Sequence, residues 1–148
     1  MRKTPTYFWN EKIAMGHLIQ AAAIHRRMPE VRMPGYHTLW PVMMQEEAGR
    51  LLELIHGKTT LGPPMPPEVT YHEKVMEWLR LLERRQQQLV WSRANQVPWK
   101  ILVEEFGRSK PTLWRELDRC LGKIVTYLNR TDPHGETFRR LRERACAA

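Results

Sequence analysis

The sequence predicts an all-α fold, a helical N-terminal part packed on or linked to a C-terminal two-helix motif, and three observations predict it. Apolar residues recur at helical spacing in the longer segments. Glycines, prolines and capping residues bracket those segments, and no run alternates apolar with polar side chains between hairpin turns. The chain of 148 residues is long enough for one domain, or one domain with an appended subdomain, around an ordinary buried core.

Taken in order, residues 1–10 are too few and too mixed to fold alone, and Tyr7, Phe8 and Trp9 are expected to dock on a neighbouring element. Asn10 is an N-cap for a helix from Glu11 to about Arg27, with Ile13, Leu18, Ile19, Ala22 and Ala23 as its apolar stripe. His17 and His25 fall near that stripe. Without a carboxylate or cysteine at ligand spacing they read as core-edge and surface residues, not metal ligands. Pro29, Pro34, Gly35 and Pro41 break the helix, and Tyr36, Leu39 and Trp40 are expected to anchor this loop on the core. A second helix is predicted from Val42 to Ile55, with Gly57 as its stop. The HGKTT that follows is half of a phosphate loop; the earlier glycine such a loop needs is replaced by Leu52, so Gly57, Lys58 and Thr59 read as a helix end and turn.

The four prolines of LGPPMPPEV make residues 63–67 a stiff extended spacer, the boundary between an N-terminal interaction region (1–62) and a second unit (68–130). A helix is predicted from near Glu68, with Val75, Met76, Leu79 and Leu82 on its apolar face and Trp78 and Leu81 widening it. Glu83 to Arg85 reads as a polar interruption. Gln86 to Asn95 reads as a further helix with Leu89, Val90 and Ala94 inward. Val97 and Pro98 then turn the chain into QVPWKILVEEFGRSKPTLWRELDRCLGKIVTYLN, the stretch that organises the rest.

Within it, Trp99 to Phe106 presents Ile101, Leu102 and Phe106 on one face. Gly107 supplies the permissive backbone of a helix end, Ser109 the next N-cap, and Lys110 with Pro111 the first turn of a second helix, where a missing N–H costs nothing. In that helix Leu113, Leu117, Cys120, Leu121, Ile124 and Leu128 share an inward face, while Lys110, Pro111, Trp114, Arg115, Asp118 and Arg119 face outward. Residues 131–148 read as a turn, a short helix bearing Phe138 and Leu141, and a basic tail whose Arg139, Arg140, Arg142 and Arg144 either touch phosphates or keep a chain end soluble.

The net charge of +8 is unevenly spread. Residues 1–34 carry six basic and two acidic side chains, residues 35–82 four and six, residues 83–130 ten and five, and the remainder four and three. The positive charge therefore gathers at the N-terminus and at the two-helix motif. A basic outer face at the start of a second helix is what DNA readout requires, although such a face is also met as plain solvated surface. The two cysteines, Cys120 and Cys146, suggest neither a disulfide framework nor a metal site. No secretory h-region and no apolar run near the roughly 18 residues of a membrane span occurs. A reducing bacterial cytoplasm, at the nucleoid, is the expected location, with no membrane contact.

The stretch ERRQQQLVWSRANQVPWKILVEEFGRSKPTLWRELDRCLGKI (83–124) resembles the region-4 helix-turn-helix of sigma-70-type transcription factors and their stand-alone relatives. Leu89 and Val90 stand where that family packs its preceding helix, Pro98 and Trp99 where its first motif helix begins, Gly107 at its turn, and Ser109, Thr112 and Leu113 at the start of its recognition helix. The resemblance implies a helix-turn-helix domain over 68–130. It also implies that Lys110, Pro111, Trp114, Arg115 and Asp118 enter or line the major groove of double-stranded DNA: Arg115 pairs with guanine, Trp114 meets a thymine methyl or a sugar edge, and Ser109 and Thr112 bond phosphate. Lys100, Arg108, Arg119 and Lys123 are placed for backbone contacts. Residues 1–82 show nothing like a promoter-melting region, so a sigma factor proper is not expected. Trp114 is also large for a groove, and packing on a neighbouring helix or a second subunit is its alternative. The whole chain, including GYHTLWP and the proline spacer, resembles a poorly characterised family of small phage and prophage proteins.

The expected function is thus a phage-type DNA-binding transcription regulator whose N-terminal helices contact RNA polymerase, another regulator or a second copy. A packaging-terminase small subunit that recognises DNA, and a protein-interaction module using the same motif, are the competing readings. An enzyme is not expected: nucleophile elbow, HExxH, CxxC pair and complete phosphate loop are all missing. The pairs Glu104–Glu105 and Glu46–Glu47 are each adjacent, so a helix turns their carboxylates about 100° apart. No cofactor or metal is expected.

Overall fold

The computed structural model describes residues 8–28 and 62–147. They form six helices and no strand: α1 (Glu11–Arg27), α2 (Pro66–Leu79), α3 (Arg84–Ala94), α4 (Trp99–Phe106), α5 (Lys110–Thr131) and α6 (Glu136–Ala147). The fold is all-α. The helix expected over 42–55, the anchors Tyr36, Leu39 and Trp40, and the Gly57–Thr59 turn lie outside the described residues.

Asn10 caps α1 as expected, its side-chain oxygen accepting from the Ile13 N–H at 2.9 Å. The buried face differs from the expected stripe. Leu18 and Ala22 are buried, but so are Ala14, His17, Ala21 and Ile24, while Ile13, Ile19 and Ala23 are only partly covered. The reason is that α1 packs on α2, α3 and α5 together, so its covered arc is broad and small alanines let neighbouring backbones approach. α2 begins two residues before the expected start: Pro66 and Pro67, read as spacer, occupy its first turn, where their missing N–H groups need no partner. Trp78 lies at the centre of its buried face, 1% exposed, whereas Leu81 falls beyond the helix end and is 41% exposed. Met76 is only partly covered. The polar interruption at 83–85 is the start of α3, with the Gln86 side chain accepting from the Glu83 N–H at 3.2 Å.

Residues 136–147, expected to be a short helix in a basic tail, form α6, and α6 packs closely on α2. Phe138 is buried in a cluster of rings with Trp9, His17, Tyr71 and Trp78, its centroid 4.9 Å from that of Trp78 and 5.4 Å from that of Trp9. Trp9 donates its indole N–H to the Asp132 carbonyl at 2.7 Å. Phe8 and Trp9 therefore dock on the turn before α6, while Tyr7 lies outside the described residues. That turn passes through Gly135 at φ +66, and a β-carbon there would run into the Phe8 ring, so only glycine fits. Arg139, Arg140, Arg142 and Arg144 remain exposed, with the Arg139 guanidinium 5.9 Å over the Phe8 ring.

Two buried histidines set the acid sensitivity of this core. His17 shares a hydrogen bond with the Tyr71 hydroxyl, and His72 meets His25 with ring nitrogens 3.1 Å apart. Burial, helped by Arg142, lowers the His17 pKa from 6.5 to about 4; burial, helped by His25, lowers that of His72 to about 4. Because both folded-state values lie below the unfolded one, the unfolded chain takes up protons first. Stability is full above pH 6.5 and is lost as the pH falls toward 4. Thermal melts across this range should show a steep fall in Tm, and a flat profile would mean that these histidines are not buried as neutral rings. Leu117→Ala, which empties part of the α5 core face, should destabilise the fold by roughly 2–5 kcal/mol, read from urea melts; a negligible change would mean that the α5 faces are rotated.

Candidate nucleic-acid interface

The candidate surface is built on α4, the turn at 107–109 and α5. α4 starts after Pro98, its N-cap, and buries Leu102 fully with Ile101 and Phe106 beside it. Its end is fixed by Gly107, which adopts φ 65 and ψ 27 and donates its N–H to the Val103 carbonyl at 3.0 Å. This left-handed residue reverses the chain within three residues so that α5 can pack back on α4. Ser109 takes the N-cap backbone position of α5, but its hydroxyl bonds the Thr112 hydroxyl at 2.9 Å and makes no bond to a backbone N–H. That differs from the expected cap, and it leaves the side-chain oxygens paired with each other at the helix start. No acid stands in the first turn, so the positive end of the helix dipole is reinforced by Lys110.

From here α5 separates its side chains as the sequence predicts. Leu113, Leu117, Cys120, Leu121, Ile124 and Leu128 are buried. All eleven candidate contact residues are exposed: Lys100 on α4, Arg108 and Ser109 in the turn, and Lys110, Pro111, Thr112, Trp114, Arg115, Asp118, Arg119 and Lys123 on α5. Trp114 is 55% exposed. Arg108 lies 3.9 Å from the Glu116 carboxylate, an acid on the flank of the buried row that the sequence did not single out. Burial, with Glu116 nearby, pushes the Cys120 thiol up to about 11, so it stays protonated and unreactive.

Three further residues position this surface, and sequence reading did not find them. Arg85 of α3 lies over the Phe106 ring at 5.7 Å and donates to the Phe106 carbonyl at 3.2 Å, holding the last turn of α4. Arg93 lies 4.4 Å over the Trp99 ring and donates to the Val97 carbonyl at 2.7 Å. Asn95 is buried at the end of α3, accepts from Arg26 of α1 at 2.8 Å and donates to the Trp91 carbonyl at 3.1 Å. Next to it, Gln96 holds φ 60, a strained conformation for a residue with a side chain. Only the αL turn at Gly107 had a sequence signal; the arginine contacts join residues whose spacing carries none.

Among the described residues no group of three or more histidine, cysteine, aspartate or glutamate side chains is placed to hold a metal ion, and no helix is long and apolar enough to cross a membrane. The surface offers cations, hydroxyls, one indole and one carboxylate on a convex helix. A family model, Domain of unknown function (DUF6362), matches residues 26–124, from the end of α1 to the middle of α5. The chain belongs to that family. No curated protein and no solved structure matches it. The DUF6362 match takes in α2, α3 and α4 entire, together with every one of the eleven candidate residues.

Gly107→Ala tests the turn. A β-carbon there meets nothing within 4 Å, so any cost comes from the backbone alone. The substitution should destabilise the fold by about 1–2 kcal/mol, measured by urea melts, and an unchanged midpoint would remove the left-handed turn.

Proposed function

We propose that this DUF6362 chain is a phage-type DNA-binding protein, a transcription regulator that reads duplex DNA with α5 as the second helix of a helix-turn-helix. Its N-terminal helices are left to contact RNA polymerase, another regulator or a second copy. One observation carries the reading: over the first three turns of α5 every apolar side chain but Pro111 and Trp114 is buried, and Trp114, 55% exposed, stands beside Lys110 and Arg115. A helix meant only to fill a core leaves no tryptophan in water among cations, whereas a groove offers an indole both sugar edges and thymine methyls.

On this reading Arg115 pairs with a guanine edge, and Ser109 and Thr112 approach phosphate from the helix start. Lys100, Arg108 and Arg119 supply backbone contacts that fix register. The separation between α4 and α5 that register demands is supported by Gly107 below and by Arg85 at the end of α4.

Selection of fragments bound by the protein at low salt, followed by footprinting, tests the reading; no enrichment would overturn it. On a selected duplex, Arg115→Ala should weaken binding by roughly 1–3 kcal/mol and relax preference at one position while leaving the melting temperature unchanged. Equal affinity of the variant would remove Arg115 from base readout.

A further inference from the structure

The second half of α5 carries a charged surface that core-building does not explain. α5 runs for 22 residues to Thr131, about 33 Å at 1.5 Å per residue, although base readout needs only its first ten or so. Beyond Asp118 the helix contains no acid, and its exposed cations are Arg119, Lys123 and Arg130. At 100° per residue these three project within about 40° of one another, and Arg115, one turn earlier, continues the row toward the helix start.

None of the three has a carboxylate partner: the ion pairs among the described residues are Arg27–Glu68, Lys74–Glu77 and Arg108–Glu116. Unpaired like charges one turn apart on a helix repel, so this row costs the isolated protein some stability. The helix dipole accounts for Arg130 in the last turn but not for Arg119 and Lys123 in the middle. On the Gly122 and Thr126 side of the row the surface is low. A β-carbon at Gly122 would meet nothing within 4 Å, and the Thr126 hydroxyl turns back to the Gly122 carbonyl at 2.8 Å. A polyanion can therefore approach the cations from that side, while Tyr127, 38% exposed, flanks the row on the other.

We propose that Arg119, Lys123 and Arg130 form a docking strip for the sugar–phosphate backbone of duplex DNA, so that α5 lies along a groove wall and not only end-on in the groove. This rests on the DNA-reading role of the first half of α5 and extends it. From Arg119 to Arg130 the strip is about 16 Å long, the rise of some five nucleotides of one strand at 3.4 Å each. Like charges sharing one strip of the helix suit a backbone and carry no sequence information.

The test is equilibrium binding of the full chain, by fluorescence anisotropy over a series of salt concentrations, to a selected duplex and to a mixed-sequence duplex. The triple variant Arg119→Gln/Lys123→Gln/Arg130→Gln should make the slope of log affinity against log salt shallower by about 2–3, at about 0.9 for each lost phosphate contact, and keep the ratio between the two duplexes. Lys123→Gln alone should lower the slope by about 1, which protects the test against misfolding of the triple variant. An unchanged slope in variants with unchanged melting overturns the strip, leaves readout by the first half standing, and assigns the row to an acidic protein surface. A collapsed ratio overturns it too, because it would make these residues base readers. Absence of salt-dependent binding by the unaltered chain overturns both the strip and the DNA-binding reading.

Discussion

The described structure depends on the burial of one face of α5. Leu113, Leu117, Cys120, Leu121, Ile124 and Leu128 are removed from water against α1, α3 and α4, so a single helix gives the other three a common surface. Each leucine or isoleucine so buried contributes about 1.5–3 kcal/mol before entropy is counted. Because the buried row is continuous over four turns, the opposite row is forced outward over the same length. The exposed face follows from the core and needs no separate cause for its position. What needs a cause is its content.

A second constraint acts at the end of α1, where three consecutive residues reach different partners. His25 meets His72 of α2 and the edge of Trp91 of α3, Arg26 bonds Asn95 at the end of α3, and Arg27 pairs with Glu68 of α2 at 2.6 Å. Half-buried ionic and polar contacts of this kind add little net stability, since each group gives up water to make them. Their geometric demands are strict, however. They fix how α1 and α2 meet the helix that precedes α4, and through Asn95 and the strained Gln96 they fix where α4 begins. The candidate surface is thereby tied to the N-terminal helices through the α3–α4 turn.

How much of this was legible in the sequence depended on how far apart the interacting residues lie. The faces of α5 were readable because one long helix is covered on one side only, and its period is then written in leucines. The turn at Gly107 was readable because few residues other than glycine accept its φ. The arc of α1 was misread because alanines and a histidine do the packing there, and neither stands out in an apolar count. The role of α6 was hidden for a different reason. Phe138 looks like a lone aromatic among arginines until Trp9 and Trp78 are brought to it, and Trp9 reaches across 123 positions to bond the turn before α6. Likewise nothing in the spacing of Arg85, Arg93 and Arg26 marks them as the residues that bond helix ends.

The outward content of α5 divides into a uniform part and an irregular part, and the two ask for different explanations. A row of arginine and lysine is satisfied by any polyanion and says little about sequence. Trp114 and Asp118, one turn apart on the same exposed flank, gain nothing from phosphate: the indole is neutral and the carboxylate is repelled. A surface designed for indiscriminate attraction would be better served by two more cations. Under the proposed reading both residues have a use at base edges, the indole against a thymine methyl and the carboxylate as acceptor for the amino group of cytosine, with Arg115 between them on guanine. On that proposal cations would hold the helix on the duplex, while the residues that weaken or fail to help that attraction would decide which duplex is held.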